Sequence, residues 1–78
     1  NRKVEKILLE YISLRADIKD KLYRLRQEPR KANGAHPLHG KLEGKWSCSL
    51  GSNIRLIYII DDSKRIITAF AVGSHKVY

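Results

Sequence analysis

Residues 45–72 read KWSCSLGSNIRLIYIIDDSKRIITAFAV, and three segments of this stretch alternate with a period of two. In the first, Lys45 to Leu50, the apolar Trp46, Cys48 and Leu50 oppose Lys45, Ser47 and Ser49. Successive side chains of a strand point to opposite faces, so the pattern predicts a half-buried strand. Ile54 to Ile60 and Arg65 to Val72 predict two more. The breaks between them, Gly51-Ser52-Asn53 and Asp61-Asp62-Ser63-Lys64, are short and polar, as hairpin connections require. The stretch therefore predicts a three-stranded antiparallel meander. Its middle strand is apolar on both sides, with Leu56 and Tyr58 on one and Ile57 and Ile59 on the other. Such a sheet is covered on one face and partly covered on the other. Arg55 interrupts the strand with a charge, and a charge in a central strand has either a partner or a function.

Upstream the period changes to that of a helix. Val4, Ile7, Leu8, Tyr11 and Ile12 follow the i, i+3, i+4, i+7, i+8 spacing of one helical face. The stretch Leu14 to Ala16 loosens the pattern, and Asp17, with Asp20 three residues later, offers an N-cap for a second helix. Ile18, Leu22 and Leu25 form its buried side. Pro29 ends it, because proline lacks a backbone donor and pushes the preceding residue out of the α region. Lys31 to Gly44 carries Gly34, Pro37, Gly40 and Gly44 without any period and predicts a long surface loop. The expectation is one α+β domain over residues 1–78: an N-terminal helical hairpin packed on a three-stranded antiparallel β-meander.

Composition narrows the function. A chain of 78 residues has room for one small domain with a thin core. Its 16 Lys and Arg against 8 Asp and Glu give +8, and ten of those cations against five of the acids fall in residues 1–31. This charge has two readings: a solvated helical face, or a footprint for nucleic acid or an acidic protein. With 42% hydrophobic residues the chain is a folded protein rather than a disordered polycation. The one cysteine, Cys48, excludes an internal disulfide framework and a thiolate zinc site, and alternates with Trp46 and Leu50 as a buried structural thiol does. The three histidines lack metal-site spacing, and neither a GxSxG elbow nor a glycine-rich phosphate loop is present. No cofactor and no metal is expected. Neither a signal peptide nor an apolar run of ~20 residues is found, so the expectation is a soluble, cytoplasmic protein with no membrane partner.

The remaining polar residues suit RNA. His36 on the loop, Arg55 on the central strand, and His75 and Tyr78 near the end of the sequence lie alongside Lys41, Lys45 and Lys76. Such a set supports transesterification at an RNA phosphate. A base takes the 2′-OH proton, a fixed cation stabilises charge on the phosphoryl oxygens, and an acid protonates the departing 5′ oxygen. Histidine does either proton job near neutral pH, and arginine presents a planar fork matched to phosphate. Structural readings stand beside these: His36 as a loop residue before Pro37, Arg55 paired with Asp61 or Asp62, Tyr78 as a core plug.

The run His36-Pro37-Leu38-His39-Gly40-Lys41-Leu42-Glu43-Gly44-Lys45-Trp46-Ser47, with Arg55-Leu56-Ile57-Tyr58 and Val72-Gly73-Ser74-His75-Lys76-Val77-Tyr78, resembles the RelE/ParE superfamily of type II toxins. YafQ-like and YoeB-like messenger RNA interferases are the nearest in pattern. The resemblance implies a ribosome-dependent endoribonuclease that cuts translated mRNA and is neutralised by a cognate acidic antitoxin. It casts His36 as base, Arg55 as the phosphate-stabilising arginine, His75 as acid and Tyr78 as the aromatic that stacks on or orients substrate. The chain departs from the family pattern in several places. Ser47 and Ser49 stand where RelE proper has lysines, Ser49 and Asn53 replace a His and an Asp of YafQ-like sites, and His75 is one residue closer to the terminal aromatic. The family's first β-strand is also expected to be absent, which leaves a sheet edge uncovered. Two other functions share this scaffold: a ParE-like or inactive relative acting by protein binding, and a basic nucleic-acid-binding domain.

Overall fold

The computed structural model describes residues 2–51 and 53–73. Helix α1 spans Arg2–Leu14 and α2 spans Ala16–Gln27. The apolar stripe of α1 faces the core, with Val4 buried and Ile7, Leu8, Tyr11 and Ile12 packed against it. On α2 Ile18 and Leu25 are buried and Leu22 is half-buried, as the spacing predicts. The start of α2 differs from expectation. Arg15, in extended backbone, is its N-cap, and Asp17 lies inside the first turn. The Asp17 carboxylate accepts two hydrogen bonds from the Arg15 guanidinium, at 3.3 and 2.9 Å, and so is taken by a side chain rather than by the helix's free amides. An acid there still complements the positive end of the helix dipole. Gln27 is the last residue of α2, and Pro29 follows as anticipated.

The segment expected as an irregular loop contains local structure. Two 3-10 turns, Ala32–Gly34 and Gly40–Leu42, flank a two-residue strand β1, His36–Pro37. Asn33 adopts a left-handed backbone, which asparagine tolerates, and its amide donates to the Lys21 carbonyl at 2.7 Å. That bond ties the segment to α2. The meander follows as β2 (Trp46–Ser49), β3 (Arg55–Asp61) and β4 (Ile66–Gly73). All four strands form one antiparallel sheet in the order β1-β2-β3-β4. The fourth strand has a local cause. A residue before proline is held extended, and the Leu38 N–H donates to the Lys45 carbonyl at 2.9 Å, so the chain at His36 lies along β2.

One face of the sheet meets the helices. Trp46, Cys48, Leu56, Tyr58, Ile60, Ile67, Ala69 and Val72 lie on it and join the helical residues in a single core. Ala69 and Val72 are three apart, so both reach this face only because an extra residue is accommodated between them. The pairing slips at Ile57/Tyr58, where Ile57 meets Ala71 and Tyr58 meets Ala69, and Phe70 is the residue left over. Tyr58 is fully buried, and its hydroxyl donates to the Pro29 carbonyl, joining the end of α2 to the central strand. Burial pushes the Tyr58 phenol well above its ordinary value. On the other face Ile57 is only 1% exposed but Ile59 is 39% exposed, which matches the expected partial cover. Among the described residues no strand pairs with the outer edge of β4.

Candidate functional site

The open face of the sheet is set by register. His36 pairs with Ser47, Ser47 with Ile57, and Ile57 with Ala71, so these four residues form a row across all four strands. In the next row of that face Arg55 pairs with Ser49 on one side and Gly73 on the other. His36 and Arg55, 19 positions apart in sequence, thereby share one face. Two strand spacings of ~4.8 Å and two residue rises of ~3.4 Å separate their Cα atoms by roughly 12 Å. Side chains of this length reach a small group placed between them.

Arg55 is half-buried and, among the described residues, makes no side-chain hydrogen bond or ion pair. The alternative of a pairing with Asp61 or Asp62 does not hold. Those residues lie at the far end of β3, where Asp62 accepts from both Arg30 guanidinium nitrogens at 3.0 and 2.7 Å. Asp61 accepts from the Ser63 hydroxyl at 2.7 Å and the Lys64 amide at 3.2 Å. Arg55 acts electrostatically on Cys48, whose thiol burial pushes up to about 12 while the arginine draws it down in part. Cys48 is therefore an inert thiol, as its place in the alternation implied.

His36 is exposed on β1 rather than on a loop, and its Nδ1 lies 3.4 Å from the Pro37 carbonyl. A contact that long does not lock the ring. Beside it the Ser47 hydroxyl is 0% exposed and has no hydrogen-bond partner among the described residues. Lys41 sits exposed on the second 3-10 turn. Lys45 is half-buried, with Nζ 4.7 Å from the centroid of the Phe70 ring. Lys45 leads into β2 and Phe70 belongs to β4, so the lysine stem crosses the open face of β3 to make this contact. His75, Lys76 and Tyr78 lie outside the described residues.

Phe70 is the residue that sequence reasoning missed. It is 44% exposed on the same face as Arg55 and Lys45. Its phase with Ile66 and Thr68, opposite the core residues Ile67 and Ala69, was the available signal. A cleft of about 720 Å3 lies at the opposite end of the sheet from Arg55, between the end of α2 and the β3–β4 turn. Arg26, Arg30 and Arg65 line it, and Arg30 also stacks over Trp46 at 5.8 Å from the ring centroid. Among the described residues, none of the sequence-predicted site residues lines it.

A helical hairpin on one face of a short antiparallel sheet, with His36, Lys45 and Arg55 on the other, defines a small basic α+β protein. The profile described as "ParE toxin of type II toxin-antitoxin system, parDE" matches residues 3–77. The chain belongs to this toxin family, and a cognate antitoxin is accordingly its partner. No curated protein and no solved structure matches it. Among the described residues no helix is long and apolar enough to cross a membrane.

Proposed function

We propose that this toxin is a ribosome-dependent mRNA endoribonuclease of the YafQ-like and YoeB-like kind. The observation that supports this most is the common face of His36 and Arg55, which nothing in their sequence separation requires. His36 accepts the 2′-OH proton as the oxygen attacks phosphorus, and a 2′,3′-cyclic phosphate forms. Arg55 neutralises charge on the phosphoryl oxygens, and with no ion pair to another described residue its guanidinium fork is left available. His75 donates a proton to the departing 5′ oxygen, and Tyr78 orients the substrate. Lys41, Lys45 and Lys76 hold the RNA backbone. The family match favours one second reading, a protein target, since ParE-like members act on gyrase.

Toe-printing of translated mRNA separates the two. Wild type is expected to cut on the ribosome, Arg55→Ala to cut about 100- to 1000-fold more slowly, and His36→Ala and His75→Ala about 100-fold or more slowly. Arg55→Lys does not restore the rate, because an ammonium lacks the planar fork. Full growth arrest by all three alanine variants, with no mRNA cut by wild type, replaces the nuclease with the protein-binding toxin.

A further inference from the structure

Phe70 stands apart from the other exposed apolar residues. It occupies the extra position of the β3–β4 irregularity, so its ring projects from the open face without a cross-strand partner. Along its own strand its neighbours on that face are small, Thr68 and Ala71, which pair with Ile59 and Ile57 of β3. They leave the flat ring accessible, and it is 44% exposed. The Lys45 ammonium lies over it at 4.7 Å, and Arg55 is two positions along β3 from Ile57, the residue opposite the irregularity. We propose that Phe70 and Lys45 form a stacking subsite for one base of a single-stranded RNA, beside the phosphate held by Arg55. The inference rests on the nuclease reading and names how that site grips its substrate.

Aromatic rings on an open sheet, interleaved with cations, are a recurrent platform for single-stranded nucleic acid, because every base has a π-face. Here the cation already rests on the ring in the free protein. When a base stacks on Phe70, the Lys45 ammonium moves to the adjoining phosphate, so neither the ring nor the charge is left unpaired. A protein partner asks for a continuous apolar patch, whereas here the exposed Ile59 and Phe70 are interleaved with Lys45, Arg55 and His36. RNA is the better fit.

The test uses the full chain and a fluorescein-labelled single-stranded hexaribonucleotide without ribosomes, read by anisotropy at low salt. Phe70→Ala is expected to weaken binding about ten-fold or more, and Phe70→Tyr to stay within about two-fold of wild type. Phe70→Leu keeps the apolar bulk but lacks the π-face, so it also loses binding, which guards against an alanine variant that folds poorly. Lys45→Gln lowers the slope of log affinity against log salt by about 0.7, the loss of one single-strand phosphate contact. Wild-type binding by Phe70→Leu overturns the stacking subsite, as does the absence of any RNA binding by wild type. Toe-printing with wild type then reports separately on the nuclease: cutting with no role for Phe70 leaves the nuclease intact and removes only the subsite.

Discussion

At the scale of single residues, burial decides what chemistry is open. Cys48 is wholly enclosed and its thiol is raised to about 12, so at pH 8 it holds its proton and no reagent reaches it. Iodoacetamide is expected to leave the native protein unlabelled and to alkylate it fully in denaturant; stoichiometric labelling of native protein would contradict this. The same shift predicts an alkaline limit. Above the ordinary thiol value of 9.0 the unfolded chain releases a proton that the folded chain retains, so stability declines from there up to about pH 12. Cys48→Ala flattens part of that decline, and Tyr58, raised for the same reason, accounts for a further part. The candidate site was legible at this scale only where residue type is distinctive. Arg55 announced itself as a charge in an apolar strand, and His36 through its motif. Phe70 was hidden, because a phenylalanine in an apolar strand reads as core, although its alternation with Ile66 and Thr68 puts it on the outer face before the pairing slips.

At the scale of elements, two contacts join the segment after α2 to the sheet, and they differ in worth. The Tyr58 hydroxyl bonded to the Pro29 carbonyl is enclosed, and removing it leaves that carbonyl short of its donor. Tyr58→Phe is expected to lose roughly 1–2 kcal/mol, seen as a fall of about 4–8 °C in melting temperature per kcal/mol. The Arg30–Asp62 pair is bidentate but solvent-exposed, so Asp62→Asn moves the melting temperature much less than Tyr58→Phe does. Arg30 holds the Asp62 carboxyl below its ordinary 3.8, so what the pair contributes is present above that value and fades as pH falls below it. Thermal melts of both variants at pH 3 and pH 7 check the order and the sign. A larger loss from Asp62→Asn than from Tyr58→Phe at pH 7 would reverse the argument. Helices and long strands were legible because their apolar periods extend over many residues: α1 and α2 from the 3.6 pattern, β2, β3 and β4 from alternation. Strand β1 was not, since two residues carry no period and the pairing depends on β2, ten positions away. The N-cap of α2 was misplaced for a similar reason, because Asp17 found a guanidinium two residues back that a capping rule does not weigh.

At the scale of the whole molecule, the Cα radius of gyration of 11.6 Å matches the ~11.5 Å of a compact chain of this length. The core that holds it is thin, and Leu9, Leu14 and Tyr23 on the helices join Ile59, Ile66 and Phe70 on the sheet as large apolar groups exposed to water. The chain also carries +8, which repels itself when compact. The cognate antitoxin is expected to relieve both features by bringing negative charge and apolar cover. Whatever binds only the folded state stabilises it by mass action, by about 2.7 kcal/mol at a free concentration 100 times Kd. For a chain of this size that raises the melting temperature by roughly 10–20 °C. Calorimetry of the free toxin and of the complex with its cognate antitoxin measures the shift directly. Because opposite charges steer the encounter, the association rate is expected to fall steeply between low salt and 0.5 M salt, while the apolar share of the contact holds the complex together once formed. A rate indifferent to salt would mean that the +8 surface faces away from the antitoxin and is kept for the nucleic acid alone.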